Sequence, residues 1–407
     1  MQIKFIDGGV CAPTGFSAGG IHCGIRKNRT KRDLAMIKSD TMCTAAAVYT
    51  TNLVKGAPIL VTRANIENGK AKAIICNSGN ANTCNADGEQ KARMMCEIAG
   101  QALSVDPSDV IVASTGVIGQ VLPIEPIRSH AEALADAMGY DNSLDAAEAI
   151  MTTDTMAKNI AVEFMLGGKT CRIGAIAKGS GMIHPNMATM LCFVTTDAAI
   201  SAQALRTALK SVADCTFNMI SVDGDTSTND MVAVLASGTA GNAEITEADG
   251  ADYADFCEAL TVLMTKISKL LAGDGEGATR LIECNVTGAC CLDGARKVAK
   301  SIVCSSLTKA AIFGADANWG RVLCAIGYAG VPVDVTQVDV SFVSKAGEIA
   351  VCKDGAGLDF DETLAKKVLS EEEIQIEVTL HDGDAKATAW GCDLTYDYVK
   401  INGDYRT

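Results

Sequence analysis

Short apolar stretches alternate with longer amphipathic ones along this chain, and that alternation is the feature that most restricts its fold. The strand-like runs, each bounded by glycine or polar turn residues, are KAIICNSG, DVIVASTG, CRIGAIAKG, TMLCFVTTD, DMVAVLASG, TRLIECNVTG and QVDVSFVS. Helical spacing of apolar residues occurs in SAQALRTALKSVADCTFNMI, ADYADFCEALTVLMTKISKLLAGD and GARKVAKSIVCSSLTKAAIFG. The pattern predicts a mixed α/β protein, and no repeat or low-complexity linker indicates a domain boundary.

Composition excludes some classes of partner. Of the 407 residues, 48% are hydrophobic and 21% are charged, which is enough apolar material for one large core or two ordinary ones. Acidic residues outnumber basic ones by 49 to 35, and the net charge of -14 repels nucleic acid and anionic lipid. No apolar run has membrane-spanning length, and the start MQIKFIDGGVCAPTG lacks the regions of a secretory signal. We therefore expect a soluble, cytoplasmic protein.

Cysteine and histidine spacing predicts neither a disulfide framework nor a metal centre. The seventeen cysteines contain no C-x-x-C pair, and a chain of this length does not depend on disulfides for its stability. The four histidines are scattered without metal-ligand spacing. We expect reduced and mostly buried thiols, and no metal.

Six polar loops follow strand candidates, where α/β proteins commonly place ligand groups. They are NSGNAN (77–82), STGVIG (114–119), TTDT (152–155), GDTSTND (224–230), GDGEGATR (273–280) and GADANWGR (314–321). None has the P-loop order or the complete G-x-G-x-x-G fingerprint, so the loops predict no nucleotide cofactor. Taken singly, loops such as GDGEG are also ordinary turns.

The chain contains five distinctive motifs: KGSGMIHPNMATML, STGVIG, GEGATRLIE, GADANWGR and the terminal NGDYRT. In their order along the chain, the five motifs closely resemble those of the glutamate N-acetyltransferases of arginine biosynthesis, also called ornithine acetyltransferases (the ArgJ family). The resemblance extends over the whole chain. It implies a layered αββα sandwich of the type found in self-processing aminopeptidases. It also implies acetyl transfer from N2-acetylornithine to glutamate; some members also use acetyl-CoA, which these residues do not decide.

The resemblance further implies that the chain cuts itself between Ala188 and Thr189. The products are an α chain, 1–188, and a β chain, 189–407, expected to assemble into a heterotetramer with two of each. Thr189 then carries both the nucleophilic hydroxyl and a free α-amine, whose pKa near ~8 lets it act as general base. Without the family, Thr189 is an ordinary strand residue, and His184 is a rival candidate base.

Further roles are implied residue by residue. Thr115 and Gly116 supply the oxyanion donors, although STG alone is equally a small-residue packing turn. The substrate-binding positions are Thr152, Lys178, Thr189, Glu276, Asn402 and Thr407. Among them, Lys178 and Thr152 are assigned to the substrate carboxylate, and Glu276, Asn402 and the Thr407 carboxylate are assigned to its ammonium.

Two other functions fit the residues. A self-processing aminopeptidase would share the fold and the nucleophile but transfer the acyl group to water. A non-enzymatic binding protein would use the polar loops as ligand contacts only.

Overall fold

A computed structural model describes residues 2–28, 30–184 and 190–403. Its strands are β1 Lys4–Ile6, β2 Phe16–Ile21, β3 Leu34–Tyr49, β4 Lys70–Asn80, β5 Val110–Val117, β6 Lys158–Leu166, β7 Lys169–Lys178, β8 Leu191–Thr196, β9 Ile220–Ser221, β10 Met231–Ala236, β11 Leu281–Ala289, β12 Asp339–Ser344, β13 Gly347–Lys353, β14 Ala356–Gly357, β15 Glu373–Thr379 and β16 Ala385–Cys392. Its α-helices are α1 Ala57–Asn65, α2 Gly88–Leu103, α3 Ile124–Ala137, α4 Ser143–Ile150, α5 Ala202–Cys215, α6 Gly250–Gly273, α7 Leu292–Cys304, α8 Ser306–Phe313, α9 Trp319–Gly327, α10 Glu362–Val368 and α11 Tyr396–Asn402.

All seven predicted strands are confirmed, but the predicted helices are confirmed only in part. Helix α5 ends at Cys215, before the predicted end, and a short 3-10 turn leads into β9. The third helical stretch is two helices, because Ser305 has an extended backbone (ψ 111) and its hydroxyl accepts the Thr308 N–H at 3.2 Å. A serine that caps a new helix ends the preceding one.

The long strand β3 connects two halves of a nine-stranded sheet. Its first half pairs with β2 and β4, and its second half pairs with β10. The strand order is β1-β6-β7-β8-β10-β3-β4-β5, with β2 alongside β3. The sheet therefore has one half built around β4 and β5 and another built around β7, β8 and β10.

The two halves pack face to face between layers of helices. Ile74 and Ile111 from one half share a buried core with Phe193 and Leu235 from the other. Helices α2 and α3 cover the opposite face of β4 and β5, and α5 and α6 cover that of β8 and β10. The predicted αββα sandwich is confirmed.

A second sheet follows in the order β14-β13-β12-β15-β11-β16-β9. Its apolar side chains, such as Ile282 and Ile376, share a core with helix α7. Helix α6 contacts this sheet through Lys269, which pairs with Glu283 of β11 at 2.5 Å. The GDGEG loop at the end of α6 lies next to Ser180, which follows β7 of the first sheet, and next to Cys392 of β16 in the second sheet.

All seventeen cysteines fall within the described ranges, and each is a free thiol. Nine are buried, but Cys84, Cys215, Cys290, Cys291 and Cys324 are exposed, so burial accounts for only part of the set. Among the residues described, no helix is both long enough and apolar enough to cross a membrane.

Candidate active site

The Thr115–Gly116 turn lies where β4 and β5 end side by side. Gly116 is in register with Gly79 and has a φ of +133°, a conformation that favours glycine. A Cβ atom on Gly116 would come within 2.3 Å of the Gly79 carbonyl carbon. This close approach of two backbones requires glycine at position 116. The neighbouring Thr115 is largely buried.

Lys178 ends β7 and contacts this turn. Its Nζ lies 3.5 Å from the Thr115 hydroxyl oxygen. The strand register places Lys178 opposite Leu191, the first residue of β8. Burial lowers the pKa of Lys178, while the carboxylates of Asp154 and Asp230 oppose that shift. The lysine therefore lies in a poorly solvated position between the Thr115–Gly116 turn and the start of β8.

Asp154 holds the loop that carries Thr152. Its carboxylate accepts the Thr152 N–H at 3.0 Å and the Gly179 N–H at 2.6 Å. Burial alone raises the pKa of Asp154, but the positive charges of Lys178 and Lys158, together with hydrogen bonds, outweigh it and leave the pKa at about 2. Asp154 is thus an ionised group that ties Thr152 to the segment following Lys178.

Glu276, in the loop after α6, contacts the segment that follows Lys178. Its side chain accepts a hydrogen bond from the Asn402 amide at 2.8 Å, and its backbone N–H donates to the Ser180 carbonyl at 2.8 Å. Only 9% of Glu276 is exposed. A Cβ atom on Gly181 would lie 2.4 Å from the Glu276 carboxylate, so the glycine leaves that carboxylate its space.

Two pocket residues, Asn229 and Asp230, were missed by the sequence reasoning. The Asn229 amide donates to the Ala81 carbonyl at 2.6 Å and the Ser114 carbonyl at 2.9 Å, and these bonds hold the backbone next to the Thr115–Gly116 turn. Both residues line a small cavity that also contains Thr115 and Lys178. Their only signal in the sequence was the polar loop GDTSTND.

Asp230 is buried, and its Oδ2 atom has no hydrogen-bond partner among the described residues. Burial raises the pKa of Asp230 well above its usual value, although the Ser227 hydroxyl and Lys178 lower it. The Asp230 carboxyl is therefore harder to ionise than an ordinary aspartate, and it lies beside the buried Lys178.

His184 contacts strand β9 and helix α7. Its Nδ1 lies 3.1 Å from the Ser221 hydroxyl and 3.5 Å from the Cys304 sulfur. Burial and nearby Lys300 lower the pKa of His184 to about 4, so the ring is neutral at pH 7. These contacts favour a packing role. Within the described ranges, no group of three or more His, Cys, Asp or Glu side chains is arranged to hold a metal ion.

Several motif residues from distant parts of the chain thus meet in one region: Thr115, Gly116, Thr152, Lys178, Glu276 and Asn402. Ala188, Thr189 and Thr407 lie outside the described residues. The cleavage site, the nucleophile and the terminal carboxylate therefore stay predictions, as do the roles of the six residues that meet.

Comparison with known proteins identifies the family. The ArgJ family model matches residues 17–407. The arginine biosynthesis bifunctional protein ArgJ of Symbiobacterium thermophilum is 52% identical over 407 residues, with both chains covered completely. The protein of the same name from Caldanaerobacter subterraneus subsp. tengcongensis is 48% identical over 406 residues, again with complete coverage of both chains.

Among solved structures, the ArgJ crystal structure from Bacillus halodurans is 49% identical and covers 52% of this chain and 97% of its own, with a TM-score of 0.49. The family match and the sequence identity to full-length relatives confirm the family resemblance of the five motifs. This chain belongs to the ArgJ family.

Proposed function

We propose that this protein is an acetyltransferase of arginine biosynthesis that moves the acetyl group of N2-acetylornithine to glutamate. Its relatives over the full length are named arginine biosynthesis bifunctional proteins. In N2-acetylornithine, the carboxylate and the acetamide are attached to the same carbon atom. The groups that bind them must therefore be neighbours, and the 3.5 Å contact between Lys178 and Thr115 meets that requirement.

The opposite end of the substrate carries an ammonium group, three methylenes away. The chain from Lys178 to Gly181 spans at most about 10 Å, and at Gly181 it meets the Glu276 carboxylate. A cation at one end and an anion at the other, separated by this short segment, match a substrate with the opposite charges. The short separation of the Lys178 cation from the Glu276 carboxylate is the observation that best supports the proposal.

Maturation precedes transfer in this proposal. The Thr189 hydroxyl attacks the Ala188 carbonyl, a C–O bond forms, the C–N bond breaks and the nitrogen takes up a proton. Water then opens the ester and releases the chains 1–188 and 189–407. We propose that two copies of each chain form the working enzyme, in the cytoplasm.

Transfer uses the same hydroxyl. The free amine of Thr189 takes the hydroxyl proton as the oxygen attacks the acetamide carbonyl. The Thr115 hydroxyl and the Gly116 N–H donate to the oxyanion, an interaction whose loss typically costs about two to three orders of magnitude in rate. Ornithine leaves with a protonated amine, and the amine of glutamate then attacks the acetyl-threonine ester.

Exchange of labelled ornithine into N2-acetylornithine, measured without glutamate, tests this sequence of steps. A covalent acetyl-enzyme predicts exchange in the absence of the acceptor, followed by parallel double-reciprocal plots once glutamate is added. Release of free acetate at the same rate with and without glutamate would instead support the aminopeptidase-like hydrolase. Binding of N2-acetylornithine with neither exchange nor release would support the binding protein. Replacing the donor with acetyl-CoA shows whether that compound is a second substrate.

A further inference from the structure

A fully buried lysine lies between two carboxylates next to the candidate site. Lys158, the first residue of β6, has its Nζ 2.8 Å from Asp154 and 2.6 Å from Asp274. The three side chains are between 0% and 3% exposed. Burying charged groups is costly unless they are paired and hydrogen-bonded, so the remaining contacts of this Lys158 triad (Asp154, Lys158 and Asp274) determine what it does.

Each carboxylate of the triad holds a different part of the site. Asp154 accepts the N–H groups of Thr152 and Gly179, as described above. Asp274 accepts the Thr155 N–H at 3.2 Å and also the Thr155 hydroxyl. Lys158 therefore joins the 152–155 loop at both ends and links it to the GDGEG loop.

Two direct contacts complete the connection between the loops. The Thr153 and Ser180 hydroxyl oxygens are 2.6 Å apart. The Ser180 carbonyl accepts the Glu276 N–H at 2.8 Å. Three loops, 152–155, 178–181 and 273–277, are thus held to one another around a single buried ammonium group.

Each of these loops supplies one proposed substrate contact: Thr152, Lys178 and Glu276. The first two are assigned to the carboxylate end of N2-acetylornithine, and Glu276 is assigned to the ammonium end. The spacing between the loops therefore sets the length of diamino acid that can satisfy both ends at once. Packing alone does not explain the triad, because buried ion pairs are often replaced by apolar residues without loss of stability.

We propose that the Lys158 triad is a specificity-determining element that fixes this spacing, so that the enzyme selects an acetylated diamino acid with three side-chain methylenes. The inference rests on the proposed function. Lys158, Asp154 and Asp274 act as positioning residues, since they touch the loops that bind substrate rather than the substrate itself.

The test compares three acetyl donors that differ only in length. They are N2-acetylornithine, the shorter N2-acetyl-2,4-diaminobutyrate and the longer N2-acetyllysine. One methylene is commonly worth about 10- to 200-fold in discrimination, and we expect the wild type to prefer N2-acetylornithine by a factor in that range. Asp274→Ala should reduce this preference at least about fivefold, mainly through KM, because the GDGEG loop loses its link to Lys158.

Asp274→Asn is the second variant, for use if the alanine variant does not fold. Its amide oxygen can still accept from Thr155, so only the ionic link is removed, and a smaller loss of preference in the same direction is expected. Arg172→Met is the matched control: it breaks an ion pair with Glu163 at 3.0 Å between β6 and β7, where both side chains are partly exposed. The control should keep the wild-type ratios.

The outcomes separate the two proposals. If both Asp274 variants lower kcat/KM for the three donors by the same factor, or leave the ratios unchanged, the triad only stabilises the fold and the inference is wrong. If the wild type transfers acetyl from none of the donors, the proposed function fails and the inference fails with it. Loss of preference in the Asp274 variants but not in Arg172→Met supports both.

Discussion

Replacing Glu276 with glutamine isolates the charge proposed to bind the substrate ammonium. Glu276 is largely buried and oriented by the Asn402 amide at 2.8 Å. The amide oxygen of glutamine can accept the same hydrogen bond in nearly the same volume. Glu276→Gln therefore changes the charge while retaining the shape and the internal contact.

The expected loss follows from the strength of a charge-assisted hydrogen bond in a poorly solvated site. Such bonds contribute about 1.5–3 kcal/mol, which corresponds to about 10- to 150-fold in affinity. The ammonium is remote from the acetyl group and carries the same charge in the ground state and the transition state. The loss should therefore appear in KM for N2-acetylornithine and leave kcat nearly unchanged.

The assay compares N2-acetylornithine with N2-acetylnorvaline, which has the same carbon chain but no ammonium group. Glu276→Gln should impair only the first donor. Glu283→Gln is the control, since Glu283 is another mostly buried glutamate but bonds Lys269 and Trp390, outside the site. Equal losses with both donors would refute the assignment of Glu276 to the ammonium.

Three further changes probe the surroundings of the site. Gly116→Ala should destabilise the protein by about 3 kcal/mol or more, because its Cβ would overlap the Gly79 backbone at 2.3 Å. Gly119→Ala is the control: Gly119 also has a positive φ (+79°), but its added Cβ would meet no atom within 4 Å, so it should cost less in a thermal unfolding assay. The pKa of Asp230 is raised in the folded protein, so its contribution to stability is present below pH 3.8, the pKa of the unfolded chain. This contribution is lost as the pH rises toward the pKa of the folded state. Asp230→Asn should therefore gain in thermal midpoint relative to the wild type as the pH rises above 3.8, and a relative decline would contradict a raised pKa at Asp230. Asn402→Ala removes the partner that orients Glu276, so it should raise KM for N2-acetylornithine by about tenfold in the transfer assay; an unchanged KM would exclude that role.

Much of the scaffold was predictable because the local composition of a segment indicates whether it forms a buried strand. Runs such as DMVAVLASG are apolar on both faces, and the strands they form are buried on both faces in the αββα sandwich. The helix break at Ser305 was not predicted, since serine is compatible with a helix and becomes a cap only when its backbone is extended. The local pattern therefore predicted helical structure in this segment but not the position at which α7 ends and α8 begins.

The candidate site was predictable only where a motif marked it. Thr115 and Lys178 stand at the ends of strands, within motifs that resemble the family. Lys158 and Asp230 gave no comparable signal, because a charged residue beside an apolar strand normally reads as solvent-exposed. Their burial is produced by contacts with loops more than a hundred residues away, such as that of Asp274 with Lys158, and no local pattern contains that information.

Intact mass spectrometry of the denatured protein tests directly whether Thr189 becomes an N-terminal nucleophile that carries the acetyl group. We expect two chains, 1–188 and 189–407. After incubation with N2-acetylornithine and no acceptor, the second chain should carry one acetyl group on Thr189, and glutamate should remove it. An uncut chain that transfers acetyl at the full rate, or an acetyl group found on a cysteine, would contradict the mechanism.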